Sequence, residues 1–466
     1  MEPAISSTLA LFDSAQRLLP GGSLGNLYKN VLIHRGQGSH VWDSHGNELI
    51  DYLMGSGPLL LGHAHPAIVA KVQAQVALGT TFFASNEPAI RLAEAIVSAV
   101  PCAEQIRFTC TGTEATCYAM RVARAFRGRD RVLKFEGGYH GMNEYALMSQ
   151  APAQPPEFPA AAADSAGIPT AIRDNVLVAP FNDTDTTTRI LEQHHDTLGG
   201  VIVEPLQRLV CPQGDFLNRV REVTAHYGVP LIFDEVVTGF RLAYGGAQEY
   251  YQVVPDLCVL GKVLAGGFPL AAVAGRSEMM ACFDPSLASP GTFVPHIGTF
   301  NGNPVAAVAG LATLELLREP GSYDRLFHTG RQLMSGLQAL LDQAGLAAQV
   351  IGEPPVFDVV FSDHKIDNYR DTLRGDKTML RQFGELLLAQ GMLRGDSKFY
   401  VSLAHTQDDV KATLAALAKV VDELANTPMG QESPGGDHTS IFLGLYQTDW
   451  YNRFARSRCH RKFVCR

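Results

Sequence analysis

The stretch VPLIFDEVVTGF, residues 229–240, decides the fold of this chain. It is a short apolar run that ends abruptly in Asp234 and Glu235, which is typical of a buried parallel strand whose polar end faces a crevice. A second run, PDLCVLGK, has the same form but ends in Lys262, 28 positions after Asp234. Because open α/β sheets bind ligands at the carboxyl ends of their strands, we expect both side chains at one edge of a sheet.

An acid and a lysine at the ends of two successive strands have two interpretations. Pairs of this kind are often only solvated loop residues or a surface ion pair. The pair also fits pyridoxal 5'-phosphate chemistry, in which Lys262 holds the cofactor aldehyde as a Schiff base and Asp234 keeps the pyridine nitrogen protonated. The choice between these interpretations depends on the rest of the chain.

Length and composition indicate a large α/β enzyme. The 466 residues are 46% hydrophobic and include 44 glycines and 26 prolines, which is typical of a loop-rich chain of two or three domains. The net charge of −9 is spread without a basic stripe in the main body, so we expect no nucleic-acid partner. The eight widely spaced cysteines predict reduced thiols in a cytoplasmic protein rather than zinc ligands. No apolar run reaches the ~18–20 residues of a membrane helix, and the N-terminus has no signal-peptide pattern.

Four segments follow from the pattern of strands and helices. Residues 1–60 predict a helix and a small antiparallel meander, and residues 61–310 predict a large domain with a mainly parallel central sheet flanked by helices. Residues 311–426 predict a smaller α+β domain. Residues 427–466 predict a flexible basic tail, with a docking peptide as the alternative. Within the large domain, residues 150–175 predict a long loop that is either a mobile lid or disordered.

A phosphate site is the first candidate function outside the Asp234 and Lys262 strands. Thr111, Gly112 and Thr113 lie at a predicted turn from a strand into a helix. Such a turn presents hydroxyls and free backbone N–H groups at the positive end of a helix, which suits a phosphate. Many turns of this kind only cap the helix, and the sequence leaves that alternative open.

An aromatic loop is the second candidate. Tyr139 and His140 stand between glycines in the segment GGYHG, after a predicted strand. The glycines allow a tight turn that places an aromatic ring at the crevice, where a flat pyridine ring could stack on it. In the alternative interpretation, Tyr139 is a half-buried packing residue and His140 a hydrogen-bonded loop residue.

Taken together, these motifs resemble those of a known family. They are TGTEA at 111–115, GYHG at 138–141, VEP at 203–205, FDEV at 233–236, GK at 261–262 and GTFNGNP at 298–304. In this order and at this spacing the chain resembles the class III, fold type I, aminotransferases over about residues 10–425. Within that class it most resembles the glutamate-1-semialdehyde aminomutase branch.

The resemblance implies a role for each matching residue. Lys262 would be the catalytic Schiff-base lysine and proton shuttle, and Asp234 the partner of the pyridine nitrogen. Tyr139 and Val236 would cover the two ring faces. Thr299 would come from the neighbouring subunit, so the resemblance implies a homodimer with shared active sites. The remaining implied cofactor-binding residues are Thr111, Gly112, Thr113, His140 and Glu204.

Departures from the aminomutase pattern bear on the substrate. Aminomutases follow the early Pro-Gly-Gly with an arginine that grips the substrate carboxylate, and that position is Tyr28 here. A tryptophan of the meander is replaced by Ser56, and an acidic residue near the C-terminal SLAH segment by Ser397. We therefore predict a transaminase that acts on an amino donor and a ketone, aldehyde or oxo acid by a ping-pong reaction. The alternatives are an aminomutase with intramolecular transfer and a scaffold without catalysis, which the intact Lys262 and Asp234 disfavour.

Overall fold

The computed structural model describes residues 2–25, 31–396 and 398–426. The predicted tail, 427–466, lies outside the described residues. Within them, no helix is both long enough and apolar enough to cross a membrane.

The described strands form three sheets. In chain order they are β1 Ile33–Gln37, β2 His40–Asp43, β3 Glu48–Asp51, β4 Gln105–Thr109, β5 Arg131–Phe135, β6 Val176–Ala179, β7 Leu198–Val203, β8 Leu231–Glu235, β9 Leu257–Leu260, β10 Ala271–Gly275, β11 Gln349–Glu353, β12 Val356–Val360, β13 Met392–Leu393 and β14 Phe399–Tyr400. The large sheet has seven strands in the order β4-β10-β9-β8-β7-β5-β6. Strand β10 runs antiparallel to both of its neighbours, and the other pairings are parallel. The predicted mainly parallel α/β sheet is confirmed.

Helices cover the sheets and connect the strands. They are α1 Glu2–Leu18, α2 Pro66–Leu78, α3 Glu87–Ala99, α4 Gly112–Arg127, α5 Thr170–Arg173, α6 Thr184–His194, α7 Phe216–His226, α8 Ala247–Tyr250, α9 Ser277–Met280, α10 Pro304–Leu317, α11 Ser322–Gln343, α12 Tyr369–Thr372, α13 Lys377–Ala389 and α14 Gln407–Asn426. Strands β6 to β9 are wholly buried, which explains their unbroken apolar sequences. Helix α4 begins with a capping box formed by Thr111 and Glu114, and ends at Gly128 in the left-handed conformation.

The N-terminal meander shares its sheet with the C-terminal region. Strands β1 to β3 pair antiparallel, and β13 pairs parallel with β3. Asp409 of α14 accepts hydrogen bonds from Ser39 and His40, which adds a second link between the chain ends. The proposed division into segments 1–60, 61–310 and 311–426 stays a prediction, but the first and the third are held together by these contacts.

Residues 150–175 pack against the large sheet instead of lying free. Met148 and Ala163 form a bridge, and Val178 of β6 donates its amide hydrogen to the carbonyl of Pro159. Ala161 is buried in a small apolar cluster with Val176 of the same strand. The first part of the loop, up to about residue 163, is therefore anchored on the sheet, which differs from the mobile or disordered form that the composition suggests.

Candidate active site

Parallel pairing of β8 and β9 brings Asp234 and Lys262 to one edge of the sheet. Asp234 pairs with Val259, and Lys262 follows two residues after the end of β9 at Leu260. Both strands run in the same direction, so their carboxyl ends open on the same crevice.

Lys262 has an unusual backbone and a single hydrogen-bond acceptor. Its φ is +45°, a left-handed conformation that costs a residue with a side chain about 1 kcal/mol. Its Nζ donates to the carbonyl of Ser56 at 2.8 Å. Burial, which disfavours the ammonium form, lowers the pKa of Lys262 from its usual value, although the half-buried side chain still reaches the open crevice. The structure thus presents an amine that is more easily deprotonated than an ordinary lysine.

Asp234 is held by two donors. Its Oδ2 lies 2.8 Å from Nδ1 of His140, and its Oδ1 accepts the amide hydrogen of Val236 at 3.1 Å. Asp234 and His140 are both buried. Thr116 fixes the His140 segment by donating its hydroxyl to the His140 carbonyl at 2.6 Å. These contacts keep a carboxylate at the end of β8 that could hold a protonated ring nitrogen.

The loop that carries Tyr139 is fixed from two sides. The amide of Tyr139 donates to Oε2 of the buried Glu204 at 2.8 Å. Beneath the loop, Nζ of the buried Lys134 donates to the carbonyl of Gly138 at 3.1 Å. Gly137 has a φ of +85°, and a Cβ there would lie 2.6 Å from the Tyr369 ring, so glycine is required at that turn.

The N-terminus of α4 points free amides toward the same crevice. The hydroxyl of Thr111 accepts the amide hydrogen of Glu114, so this residue caps the helix, as the alternative interpretation of the turn allowed. Thr113 Oγ1 accepts from the amide of Met142 at 3.2 Å, which links the helix to the end of the Tyr139 loop. Among the described residues, the amides of Gly112 and Thr113 have no acceptor. Such amides at the positive end of a helix suit a phosphate.

Val236 lies between the helix end and the lysine strand. A Cβ at Gly112 would come within 3.1 Å of the Val236 side chain, and one at Gly261 within 3.4 Å. The two glycines therefore leave a shallow slot beside Val236. These residues could hold pyridoxal 5'-phosphate: the space beside Val236 could receive its ring, the free amides its phosphate, Asp234 its ring nitrogen and Lys262 its aldehyde.

Thr299 is not joined to this crevice by the described part of the chain. It is exposed in the segment between α9 and α10, and no described contact links it to Lys262, Asp234 or Gly112. Its neighbour Asn301 contacts His296 at 3.2 Å. The implied role of Thr299 therefore needs a second copy of the chain.

Three cationic residues at the crevice were missed by sequence reasoning. Arg241 is fully buried, donates Nε to the Val237 carbonyl at 2.8 Å, and donates Nη2 to the Gly57 carbonyl. Arg208 lies over the ring of Tyr139, 5.3 Å from its centroid. Lys398 comes from the C-terminal region and acts electrostatically on Lys262. None of these residues belongs to a motif, so only their positions next to the stretch 229–240, to Pro205 and to the SLAH segment could have drawn notice.

Two of the three departures from the aminomutase pattern, Tyr28 and Ser397, lie outside the described residues. The third, Ser56, accepts the hydrogen bond of the Lys262 amine through its carbonyl. The backbone at this position therefore adjoins the reacting amine directly.

Comparisons with known proteins agree with this geometry. The family model described as "Aminotransferase class-III" matches residues 24–421. A glutamate-1-semialdehyde 2,1-aminomutase of Methanothermobacter thermautotrophicus is 41% identical over 426 residues, which cover 89% of this chain and 99% of that protein. The crystal structure of an omega-transaminase from Sphaerobacter thermophilus is 38% identical with a TM-score of 0.85, over 89% and 97% of the two chains. A beta-phenylalanine aminotransferase from Variovorax paradoxus is 29% identical with a TM-score of 0.81, over 90% and 95%.

Proposed function

We propose that this chain, which belongs to the class III aminotransferase family, moves an amino group between an amino donor and a ketone, aldehyde or oxo acid in two half-reactions. Its cofactor is pyridoxal 5'-phosphate. When bound, this cofactor supplies an aldehyde that carries the amino group and a ring that accepts an electron pair. The rest of the chemistry falls to the side chains of the crevice.

Lys262 is the proposed base and acid of the reaction. Because burial lowers its pKa, more of the amine is uncharged near neutral pH and able to take a proton from the carbon that bears the amino group. Its hydrogen bond to the Ser56 carbonyl orients the amine, and the same amine can return the proton in the reverse half-reaction. A single weak acceptor leaves the side chain free to move between these positions.

Asp234 and the surrounding residues are the proposed binding groups. Asp234, oriented by His140, would hold the protonated ring nitrogen, and the amides of Gly112 and Thr113 would hold the phosphate. Tyr139 and Val236 would cover the ring faces, while Glu204 fixes the Tyr139 backbone.

The observation that carries transamination, rather than mutase activity, is the position of Ser56. The resemblance leads us to expect a tryptophan there in aminomutases, and the carbonyl of this residue contacts the reacting amine. Replacing a large ring with a hydroxymethyl group beside the amine changes the space that a substrate must fill. This supports a substrate other than that of the aminomutases.

The aminomutase is the second candidate, because relatives at 37% to 41% identity carry that name. One experiment separates the two. The holoenzyme is mixed with an amino donor alone, and the free carbonyl product is quantified. A transaminase releases one carbonyl product per active site and then stops until an acceptor is added. Turnover of glutamate 1-semialdehyde into its isomer, without accumulation of a free carbonyl product from donors, would establish the mutase instead.

We also propose a homodimer in which the partner subunit's Thr299 completes each crevice. Thr299 and its neighbours Ile297 and Phe300 are exposed in the single chain, and so are Phe82 and Phe83 beyond α2. Exposed apolar side chains in such numbers mark protein interfaces. Sedimentation equilibrium of the holoenzyme at micromolar concentration tests the assembly, and a monomer with full activity would refute the shared site.

A reducing, cytoplasmic setting is the last part of this proposal. Cys102 and Cys258 are buried neighbours in the core, and both are free thiols. Adjacent thiols of this kind are typical of proteins kept reduced inside the cell.

A further inference from the structure

Arg208 and Lys398 are two cations of the crevice whose charges have no acidic partner. Among the described residues, neither the Arg208 guanidinium nor the Lys398 ammonium makes a hydrogen bond or ion pair. The Arg208 guanidinium lies over the Tyr139 ring, 5.3 Å from its centroid, and the Lys398 backbone carbonyl accepts from the amide of Gly395. Both residues are half-buried. Neither residue has a charged nitrogen that is buried without a partner, so both cationic ends stay open to solvent and to an incoming anion.

Other enclosed cations of this protein show how the chain usually satisfies such charges. Arg394 pairs with Asp358 at 2.5 Å, and Arg370 pairs with Glu136 at 2.8 Å. Lys134 has three carbonyl acceptors. The lack of an acceptor at Arg208 and Lys398 is therefore a property of this place in the crevice.

The nearest acids are already engaged. Glu204 accepts the amide hydrogen of Tyr139, and Asp358 accepts from Arg394. Lys398 directly precedes β14, where the amide of Tyr400 donates to the carbonyl of Tyr52. The Tyr400 ring lies against Gly57, the neighbour of the Ser56 carbonyl that accepts from Lys262. Burial and, after it, the positive charge of Arg208 lower the pKa of Lys398. The side of the crevice that borders Tyr139 is thus left with an excess of positive charge next to the reacting amine.

We propose that Arg208 and Lys398 form the site that binds a carboxylate of the substrate. This inference rests on the proposed transamination. The cofactor phosphate has its own candidate site in the amides of Gly112 and Thr113, so the two cations serve a different anion. The Arg208 guanidinium lies 5.3 Å from the Tyr139 ring centroid without a hydrogen-bond acceptor among the described residues, so its N–H groups are free for a carboxylate, and Lys398 adds a point charge. The preferred substrates are then amino acids and oxo acids, not simple amines and ketones.

The test uses the holoenzyme and two matched substrates. Their turnover is compared for 3-aminobutanoate and for isopropylamine, which is the same molecule without its carboxylate. Binding of butanoate, which has the carboxylate but no amine, is measured separately by calorimetric titration. The variants are Arg208→Gln and Lys398→Met. Arg318→Gln is the matched control, since Arg318 lies over the Tyr244 ring at the same 5.3 Å and is exposed.

We expect wild type to prefer 3-aminobutanoate, and each variant to lose about 10- to 100-fold in both the preference and the butanoate affinity. Lys398→Arg keeps the charge and is expected to retain most of both. Arg318→Gln is expected to behave as wild type. Equal kcat/KM for the two substrates in wild type, no butanoate binding by wild type, or unchanged binding in both variants would overturn the site.

Failure of this inference is distinguishable from failure of the proposed function. If no amino donor yields a free carbonyl product but butanoate still binds through Arg208 and Lys398, the transaminase assignment fails and the anion site stands. If isopropylamine and 3-aminobutanoate react equally well, transamination stands and the anion site fails.

Discussion

Lys134 and Lys262 are two lysines of one sheet region that differ in how their amines are held. Nζ of Lys134 donates to the carbonyls of Gly138, Ala146 and Met148 at 3.1, 2.8 and 2.6 Å, and its side chain is fully buried. Nζ of Lys262 has one acceptor at 2.8 Å and faces the crevice. Burial lowers the pKa of both lysines.

The difference teaches that a perturbed pKa alone does not mark a reactive lysine. Lys134 uses all three of its donors to fix the loop that carries Tyr139, so its amine is unavailable for chemistry. Lys262 keeps donors and a lone pair available once it is deprotonated. The number of fixed acceptors separates the structural amine from the reactive one, and the two should respond differently to substitution.

The largest effect is expected at Lys262. Lys262→Ala removes both the covalent attachment point and the proposed proton carrier, so we expect transamination to fall by at least about 10³-fold. Stability should change little, because only one hydrogen bond is lost and alanine, which also has a Cβ, keeps the same strained φ. Activity assays test the loss of transamination, and urea unfolding tests the unchanged stability. The control is Lys411→Ala, because Lys411 is exposed. Activity within tenfold of wild type would refute the role of Lys262.

Lys134 should show the opposite pattern. Lys134→Met leaves three enclosed carbonyls without a donor, and we expect the free energy of unfolding to fall by about 3 kcal/mol. Lys411→Met is the control for the same change at an exposed position. Cofactor affinity is a second, independent measure of the loop position. It should weaken because Lys134 no longer holds the loop that carries Tyr139. A variant as stable as wild type, with unchanged cofactor affinity, would show that Lys134 is not a fixing residue.

The sequence predicted the large sheet well because its strands are unbroken apolar runs between helices. Helices α2 and α10 also begin where the sequence has a helix start signal, because a proline opens each of them. Strand β14 is less evident, because only Phe399 and Tyr400 lie in a sheet although the mainly apolar run continues to Leu403. Beyond them, the amide of Leu403 donates to the carbonyl of Leu60 instead of a strand partner.

The residues of the site likewise fall into those that the sequence predicted and those that it did not. Asp234 and Lys262 stand at the ends of recognisable strands, so local sequence was enough to bring them together. Lys398 reaches the crevice only because the C-terminal segment folds back on the meander, where the amide of Tyr400 donates to the carbonyl of Tyr52. That contact joins residues 348 positions apart, and no local pattern announces it. Arg241 was missed for a similar reason, because its role is to hold the turn at Gly57.

The smallest effect, a change in stability, is expected at Lys398. This residue extends the comparison of Lys134 and Lys262 to a lysine whose amine has no fixed acceptor. Burial lowers the pKa of Lys398 to about 8, and the charged groups that act on it are Arg208, Glu204, Arg241 and Asp358. Below pH 8 the folded and unfolded states both carry the proton, so the folded state bears the full cost of the buried charge. Between pH 8 and the unfolded pKa of roughly 10.4, only the folded state loses the proton, so stability should rise with pH.

Lys398→Met removes this cost, so we expect the variant to be more stable than wild type by about 1 kcal/mol at pH 7, with the gap narrowing by pH 9.5. Urea unfolding at pH 7, 8 and 9.5 measures the gap, and Lys411→Met should show none. A loss of stability at pH 7 would mean that the Lys398 amine has a fixed partner like that of Lys134. A gain would match a residue kept for binding at the expense of the fold, since functional sites commonly lower stability.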